Sequence, residues 1–557
     1  MFGGLTKTSS RIAIAAALGM TLGGFVMSSH PAKAADLGGD CCADLEERVA
    51  ELEATTVRKG NKKVSVTISG WVVKLGTWWD DGHETNFYVG DKDTTLSSHI
   101  QISGSATIAP GWSAGYTLWI ETPGNSASAG FTENQFNDNA NLTGVGITAS
   151  GTDTINTLDS FMWIKSDKWG TTNWGRLVQA TNNLALLPDL SGTIIEANAV
   201  LFDGAGFFLR PRGVKNSNDL LTDFRWSAVV NCLSGGGGFG ADCPTGLDGN
   251  GFRYDSPTWW GFSVSGGYYE DDEWDVAVKY AADWNNFKFS AAYGFTENTD
   301  EGCQTATANC TGVSNLGGGG RPFQGFRKDV ESNQVGASLM HVPTGLWVYG
   351  MYQHEENSGT PFTVETGPLQ FGALETTREV NVDSNVWYMK GGIKRTWLPL
   401  GATVLYGQGG QYKGEFTGLC SSLSTPFKAG SPVLGEGGQN DDSCEAVIAT
   451  GGTFADGQAV TSNLQIRQST VNRWGAGIVQ EIDSAAMHVF FNWQHLQLDL
   501  SGVCDNGEDN GQSFGGSALG CPTRGNHFVA NGHKISPSFE DLDLFQVGGV
   551  IFFKPQT

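Results

Sequence analysis

Past its first 34 residues the chain has no run of about 18 apolar residues, the length an α-helix needs to cross a bilayer, so a helical span is excluded there. Charge is scarce as well. Asp, Glu, Lys and Arg make up only 17% of 557 residues, against about a quarter in ordinary soluble domains. The shortage falls on the basic side: 34 Lys and Arg stand against 58 Asp and Glu, for a net charge of −24. An acidic surface repels phosphate backbones, which argues against a nucleic-acid partner. Cys-x-x-Cys spacing is missing among the ten cysteines, which argues against a thiolate metal centre. What is plentiful is Gly, with 78 residues, about twice the usual frequency, together with 31 Phe and 18 Trp. Much Gly, many aromatics and little charge fit a large all-β protein. A β-barrel span stays open, because half of each strand faces a polar lumen and mean hydropathy hides it.

The N-terminus reads as a secretory signal over residues 1–34. Lys7 and Arg11 form its positive end, residues 12–27 its apolar core, and Ala32-Lys33-Ala34 an A-x-A cleavage site. Its removal takes away Lys7, Arg11 and Lys33 and no acid, so the net charge moves from −24 to −27. Residues 35–62 form an N-terminal segment expected on the periplasmic side. Within it, DLEERVAELEAT (44–55) spaces Leu45, Val49 and Leu52 as on a short coiled-coil helix capped by Asp44. Three turns are marginal alone in water, so this helix needs a partner.

Residues 63–557 carry a different rhythm. In 262–269 Phe262, Val264, Gly266 and Tyr268 interleave with Ser263, Ser265, Gly267 and Tyr269. In 287–296 Phe287, Phe289, Ala291, Tyr293 and Phe295 alternate with Lys288, Ser290, Ala292, Gly294 and Thr296. In 487–494 Met487, Val489, Phe491 and Trp493 oppose His488, Asn492 and Gln494. Period 2 marks strands with one apolar face and one polar face. Such strands, starting at residue 64, number sixteen to within about two.

The connections sort by length. Seven are short, at 109–112, 166–170, 255–261, 282–286, 343–345, 397–401 and 483–486. Long ones, rich in Gly, Asn and Asp, fall at roughly 123–155, 181–250, 297–332, 355–384, 413–471 and 500–540. An even number of antiparallel strands with short turns at one rim and long loops at the other is the pattern of a transmembrane β-barrel. Eight cysteines fall as neighbours inside long connections: Cys232/Cys243, Cys303/Cys310, Cys420/Cys444 and Cys504/Cys521. Secreted context and even number favour four nearest-neighbour disulfides, all on one side of a membrane.

Enzyme motifs occur without their contexts. Gly511, Ser513 and Gly515 match G-x-S-x-G, but in a loop between Cys504 and Cys521 instead of a strand–turn–helix elbow. Gly235, Gly237 and Gly240 match G-x-G-x-x-G with no helix to follow. His527 and His533 lack a third ligand at persuasive spacing, and Asp505, Glu508 and Asp509 do not fit a calcium loop. The expectation is a protein with no catalytic residues, no metal and no cofactor.

Three stretches carry a family resemblance: residues 43–70 (ADLEERVAELEATTVRKGNKKVSVTISG), the turn FRYDSPTWWGFSVSGGY (252–268), and WGRLVQA (174–180) before a long loop. They resemble the general porins of alpha-proteobacteria. The resemblance implies a homotrimer of 16-stranded outer-membrane barrels, embedded in lipid and lipopolysaccharide, that passes small hydrophilic solutes and ions by diffusion. It also implies that the loop after the fifth strand, here 181–250, folds into the lumen as the constriction. That loop offers the acids Asp189, Glu196 and Asp203 and the bases Arg210 and Arg212. Opposing bases are expected from inward strand positions: Arg176 before it, Arg253 after it, and Lys279, Lys288, Lys390 and Lys394, with Arg176 favoured because WGR resembles the family's pre-constriction strand. Acids on the loop facing bases on the wall create a transverse field that filters by more than size. A substrate-selective outer-membrane channel and a surface-exposed β-rich adhesion or binding protein remain alternatives.

Thiol titration of the denatured, unreduced protein is expected to leave the four proposed pairs unreacted until a reductant is added. Reaction of all eight beforehand contradicts the pairing.

Overall fold

The computed structural model of the chain describes residues 64–92, 98–122, 131, 156–199, 203–207, 209–210, 226–229, 248–270, 272–299, 329–365, 375–415, 445–447, 461–504, 533–535 and 539–553. The signal at 1–34, the helix at 44–55, Cys41 and Cys42, Arg212 and the enzyme-like motifs lie outside the described residues, except His533 in a short strand.

The strands are β1 (Ser65–Asp80), β2 (Thr85–Gly90), β3 (His99–Ala109), β4 (Trp112–Glu121), β5 (Asn156–Ser166), β6 (Gly170–Val178) and β7 (Asp248–Asp255). They continue as β8 (Phe262–Tyr269), β9 (Glu273–Trp284), β10 (Phe287–Asn298), β11 (Asp329–His341), β12 (Leu346–Glu365) and β13 (Glu375–Leu398). The last are β14 (Gly401–Glu415), β15 (Glu445–Val447), β16 (Thr461–Ile482), β17 (Met487–Cys504), β18 (His533–Ile535) and β19 (Leu542–Phe553).

All join one antiparallel sheet that closes on itself. β1 pairs β19 from Gly70↔Phe553 to Asp80↔Asp543 on one edge, and β3 from Ser65↔Ser105 to Trp71↔His99 on the other. Setting aside the short β2, β15 and β18, which pair onto β1, β16 and β17, sixteen strands make the wall, as the alternation predicts.

Short turns touch one another around one rim, which puts them all at the same end. Asp167 N donates to Gly111 O at 3.0 Å, Val342 N to Asn286 O at 2.8 Å, Asp483 N to Leu400 O at 2.9 Å and Phe552 N to Ala486 O at 2.9 Å. The sorting by length has one exception, since only residues 270–272 join β8 to β9 at the opposite rim. A second correction concerns 355–384. The β12–β13 ladder runs on through a bulge between Asn357 and Thr360 to Glu365↔Glu375, so only 366–374 connect them. The added end of β12, residues 357–365 (NSGTPFTVE), alternates only Phe362 and Val364, too little to declare a period.

The expected disulfides meet a third correction. Cys504 ends β17 instead of lying within a loop, because the β16–β17 ladder extends to Leu464↔Cys504. The other seven proposed partners, Cys232, Cys243, Cys303, Cys310, Cys420, Cys444 and Cys521, lie outside the described residues. No disulfide is therefore seen among the described residues, and the pairs Cys232/Cys243, Cys303/Cys310, Cys420/Cys444 and Cys504/Cys521 stand as expectations from spacing alone.

The two faces differ as the period demands. Leu405, Ile478, Phe491 and Val547 stand directly opposite one another on four adjacent strands, each 39–53% exposed on the outside. A continuous apolar belt of this kind is a liability in water and matched in hydrocarbon. Trp112, Trp169, Trp260, Trp284 and Trp397 gird the short-turn end, and Trp78, Phe87, Trp174, Phe252, Tyr268 and Phe545 the other. The inner face is split. Over β3 it carries His99, Gln101, Ser103 and Ser105, whereas Trp79, Trp347, Tyr349, Tyr388, Tyr406, Tyr412, Leu542 and Leu544 join one buried apolar cluster.

Candidate functional site

What buries those inward aromatics is a chain segment inside the cylinder. After β6, the fifth strand of the wall, the described residues 179–199, 203–207 and 209–210 lie along the inner wall from β8–β10 to β1. Ala180 N bonds Tyr269 Oη at 3.0 Å, and Thr181 N and Oγ1 bond Asp275 Oδ2 at 2.7 and 3.0 Å. Gln334 holds the next turn from both sides, accepting from Ala185 N at 2.9 Å and donating to Thr181 O at 2.8 Å. Tyr349 Oη donates to Ala185 O, and Tyr412 Oη to Ala199 O, each at 2.8 Å. Arg473 Nη2 bonds Asn198 O and faces the Tyr388 ring at 5.2 Å. Phe207 then packs edge-on against Trp79 of β1, centroids 5.0 Å apart. Two glycines make the fit. A Cβ on Gly336 would stand 1.9 Å from Ala185 O, and Gly204 takes φ +87° against Leu542 and Leu544.

The three loop acids lie between this segment and the wall, each beside a basic side chain, and none is more than 4% exposed. Asp189 Oδ2 is 2.7 Å from Lys390 Nζ on β13. That ammonium also donates to Thr193 Oγ1 at 2.8 Å and Ala197 O at 2.7 Å. Glu196 Oε1 is 2.7 Å from His488 Nδ1 on β17, while Asn492 donates to Glu196 O at 3.0 Å. Asp203 Oδ2 is 2.5 Å from Lys92 Nζ and 2.6 Å from Gln494 Nε2. Carboxylates removed from water are tolerable only when paired in this way.

The predicted bases scatter. Arg210 ties the end of the segment to the β1–β2 hairpin through Asp81 Oδ2, 2.7 Å from its Nε. Lys394 Nζ lies 2.6 Å from Glu481 Oε1 and 3.4 Å from Ser191 O. Arg253 faces inward on β7, its Nη1 donating to Val178 O at 2.8 Å and its Nε 3.3 Å from Asp255 Oδ2. Lys279 and Lys288 are half-buried on β9 and β10, away from the acids' partners. Arg176 is a correction to its expected inward position. It shares register with Trp174, Met162 and Phe252, which face outward, and its Nε donates to Leu158 O at 3.3 Å. Opposition across a gap is therefore absent for the three acids: their basic partners touch them directly. Lys92 and Arg473 escaped the sequence reading. Arg473 was open to it, because it alternates with outward Trp474 on β16.

A closed antiparallel cylinder, apolar outside and filled along one inner side by a segment of its own chain, defines a transmembrane β-barrel channel. Residues 26–417 match the Gram-negative porin family, and the chain belongs to it. It is an outer-membrane porin, a channel for passive diffusion of small hydrophilic solutes. A search of curated protein sequences finds no match. Among solved structures the chain is similar to Salmonella typhi OmpF in complex with daunomycin, at 12% identity and TM-score 0.38, over 89% of this chain and 99% of that one. It is similar to Pseudomonas putida OprB at 9% identity and TM-score 0.39, over 92% and 97%. Vibrio cholerae OmpT stands at 8% identity and TM-score 0.38, over 89% and 99%.

Lys390→Met strands Asp189 without its cation and is expected to cost about 3–5 kcal/mol. Adding Asp189→Asn should recover much of that loss. Denaturant unfolding of the detergent-folded barrel measures both, and equal midpoints for wild type and the single variant contradict the anchoring.

Proposed function

We propose that this porin is a general porin of the alpha-proteobacterial type, with the segment within 181–250 as its constriction. The supporting observation is the row of three loop acids, each seated on a basic side chain: Asp189 on Lys390, Glu196 on His488 and Asp203 on Lys92. Those contacts hold the segment inside the cylinder, so solutes pass the narrowed remainder of the lumen. Asp189, Glu196, Asp203 and Arg210 are proposed to set its position, and Arg253, with Arg212, to add charge near the entrance.

The same reading takes residues 1–34 as a cleaved signal, the four cysteine pairs as disulfides and a homotrimer as the working unit. Lipid and lipopolysaccharide surround the aromatic bands, with Trp174 and Phe252 stacked outward at 6.3 Å near the loop rim.

Purified protein in planar bilayers is expected to conduct in steps grouped in threes. Neutralising the acids together (Asp189→Asn, Glu196→Gln, Asp203→Asn) leaves Lys390 and Lys92 uncompensated behind the segment. The reversal potential across a salt gradient should then shift toward anions. An unchanged reversal potential removes these acids from the constriction.

A further inference from the structure

The outer edge of β1 changes partner halfway along. Residues 65–71 pair with β3 and residues 75–80 with β2, and among the described residues no named strand pairs with 72–74 on that edge. Ser98 fills the seam: its Oγ accepts from Val73 N at 3.1 Å and lies 3.3 Å from Val73 O and 3.1 Å from Asp91 Oδ1. In hydrocarbon an unpaired backbone stretch needs such a substitute.

Two consecutive residues pass through this seam in opposite senses. Asp91, its side chain 1% exposed, lies 2.6 Å from Lys74 Nζ. Lys74 is 58% exposed and belongs to the outward register of Val72 and Trp78. It sits opposite Gly549, four residues from Gly70↔Phe553 and four from Trp78↔Phe545, so it stands at mid-depth of the apolar belt. A lysine there is disfavoured unless its charge is matched. The next residue, Lys92, has no exposed side-chain surface and turns inward. Its Nζ lies 2.5 Å from Asp203 Oδ2 and 2.7 Å from Gln546 Oε1.

We propose that Asp91-Lys92 is a latch threaded through the barrel wall, and that Lys74, on the outer surface, is through it a positioning residue for the lumen segment. The inference rests on the reading of that segment as the constriction. Asp91 and Lys92 share a backbone, so Asp91 cannot leave Lys74 without displacing the ammonium that holds Asp203. Each carboxylate is buried with one lysine, and loss of that lysine leaves a charge that must move toward water. A change on the outer face is thereby felt inside the pore.

Single-channel recording of the full-length protein tests this. Lys74→Gln alters no lumen-facing charge, so its reversal potential should equal that of wild type. Its voltage-induced closures should become roughly tenfold more frequent, which corresponds to about 1.4 kcal/mol of lost anchoring. Lys92→Gln should close at least as often, and the double variant no more often than Lys92→Gln alone, because both act along one path. Heat-modifiable gel mobility identifies folded barrels. If Lys92→Gln does not fold, Lys92→Met with Asp203→Asn removes both charges, and adding Lys74→Gln to it should leave its gating unchanged, because the outer lysine then has no inner pair to act on. Wild-type gating in Lys74→Gln beside altered gating at Lys92 overturns the link across the wall, and wild-type gating in both overturns the latch. Failure of the constriction reading shows separately, as an unmoved reversal potential in the triple acid variant.

Discussion

Hydrocarbon supplies no hydrogen bonds, so every backbone N–H and C=O that crosses it must find its partner within the protein. The meeting of β19 with β1, eleven register pairs from Gly70↔Phe553 to Asp80↔Asp543, meets that demand by leaving the sheet without a free edge. The other features follow from closure. A closed sheet has an inside and an outside, so alternation along each strand divides side chains between lipid and lumen. Ser98 completes the same requirement where β1 passes between its two neighbours.

The interior answers a second demand. Inward side chains of β12 to β19 and β1 include Tyr349, Tyr388, Tyr412, Leu544 and Trp79, which pack like the core of a water-soluble domain. They do so because the lumen segment brings Leu186, Ile194, Ile195 and Phe207 against them. Apolar burial supplies the attraction, and the ion pairs supply the register. Buried pairs add little net stability over apolar replacements, but breaking one is costly, so they fix where the segment lies.

Much of this was legible in the residues. Alternation in β10 and β17 puts Phe289, Tyr293, Val489 and Phe491 outside and His488, Asn492 and Gln494 inside, as found, because a two-residue period needs only the local chain. Short turns at one rim follow from the same bookkeeping. The lumen segment was legible as acidic and placed after the fifth wall strand, but not its partners, since Asp189 meets Lys390 across 201 residues. Lys92 follows β2, a six-residue strand folded back on β1 and too short to declare a period. Arg176 shows the opposite failure: its alternation with Trp174 pointed outward, and the resemblance of WGR to a pre-constriction strand outweighed it.

Site-by-site accessibility along β10 tests the central claim most directly. Single cysteines from Lys288 to Thr296, carrying a fluorescent or spin label in lipid vesicles, would be exposed to a water-soluble and to a lipid-soluble quencher. Lipid quenching at Phe289, Ala291, Tyr293 and Phe295, with the intervening positions shielded from lipid, is the result a closed barrel requires. Equal aqueous quenching on both faces, or no two-residue period, contradicts a membrane-spanning cylinder.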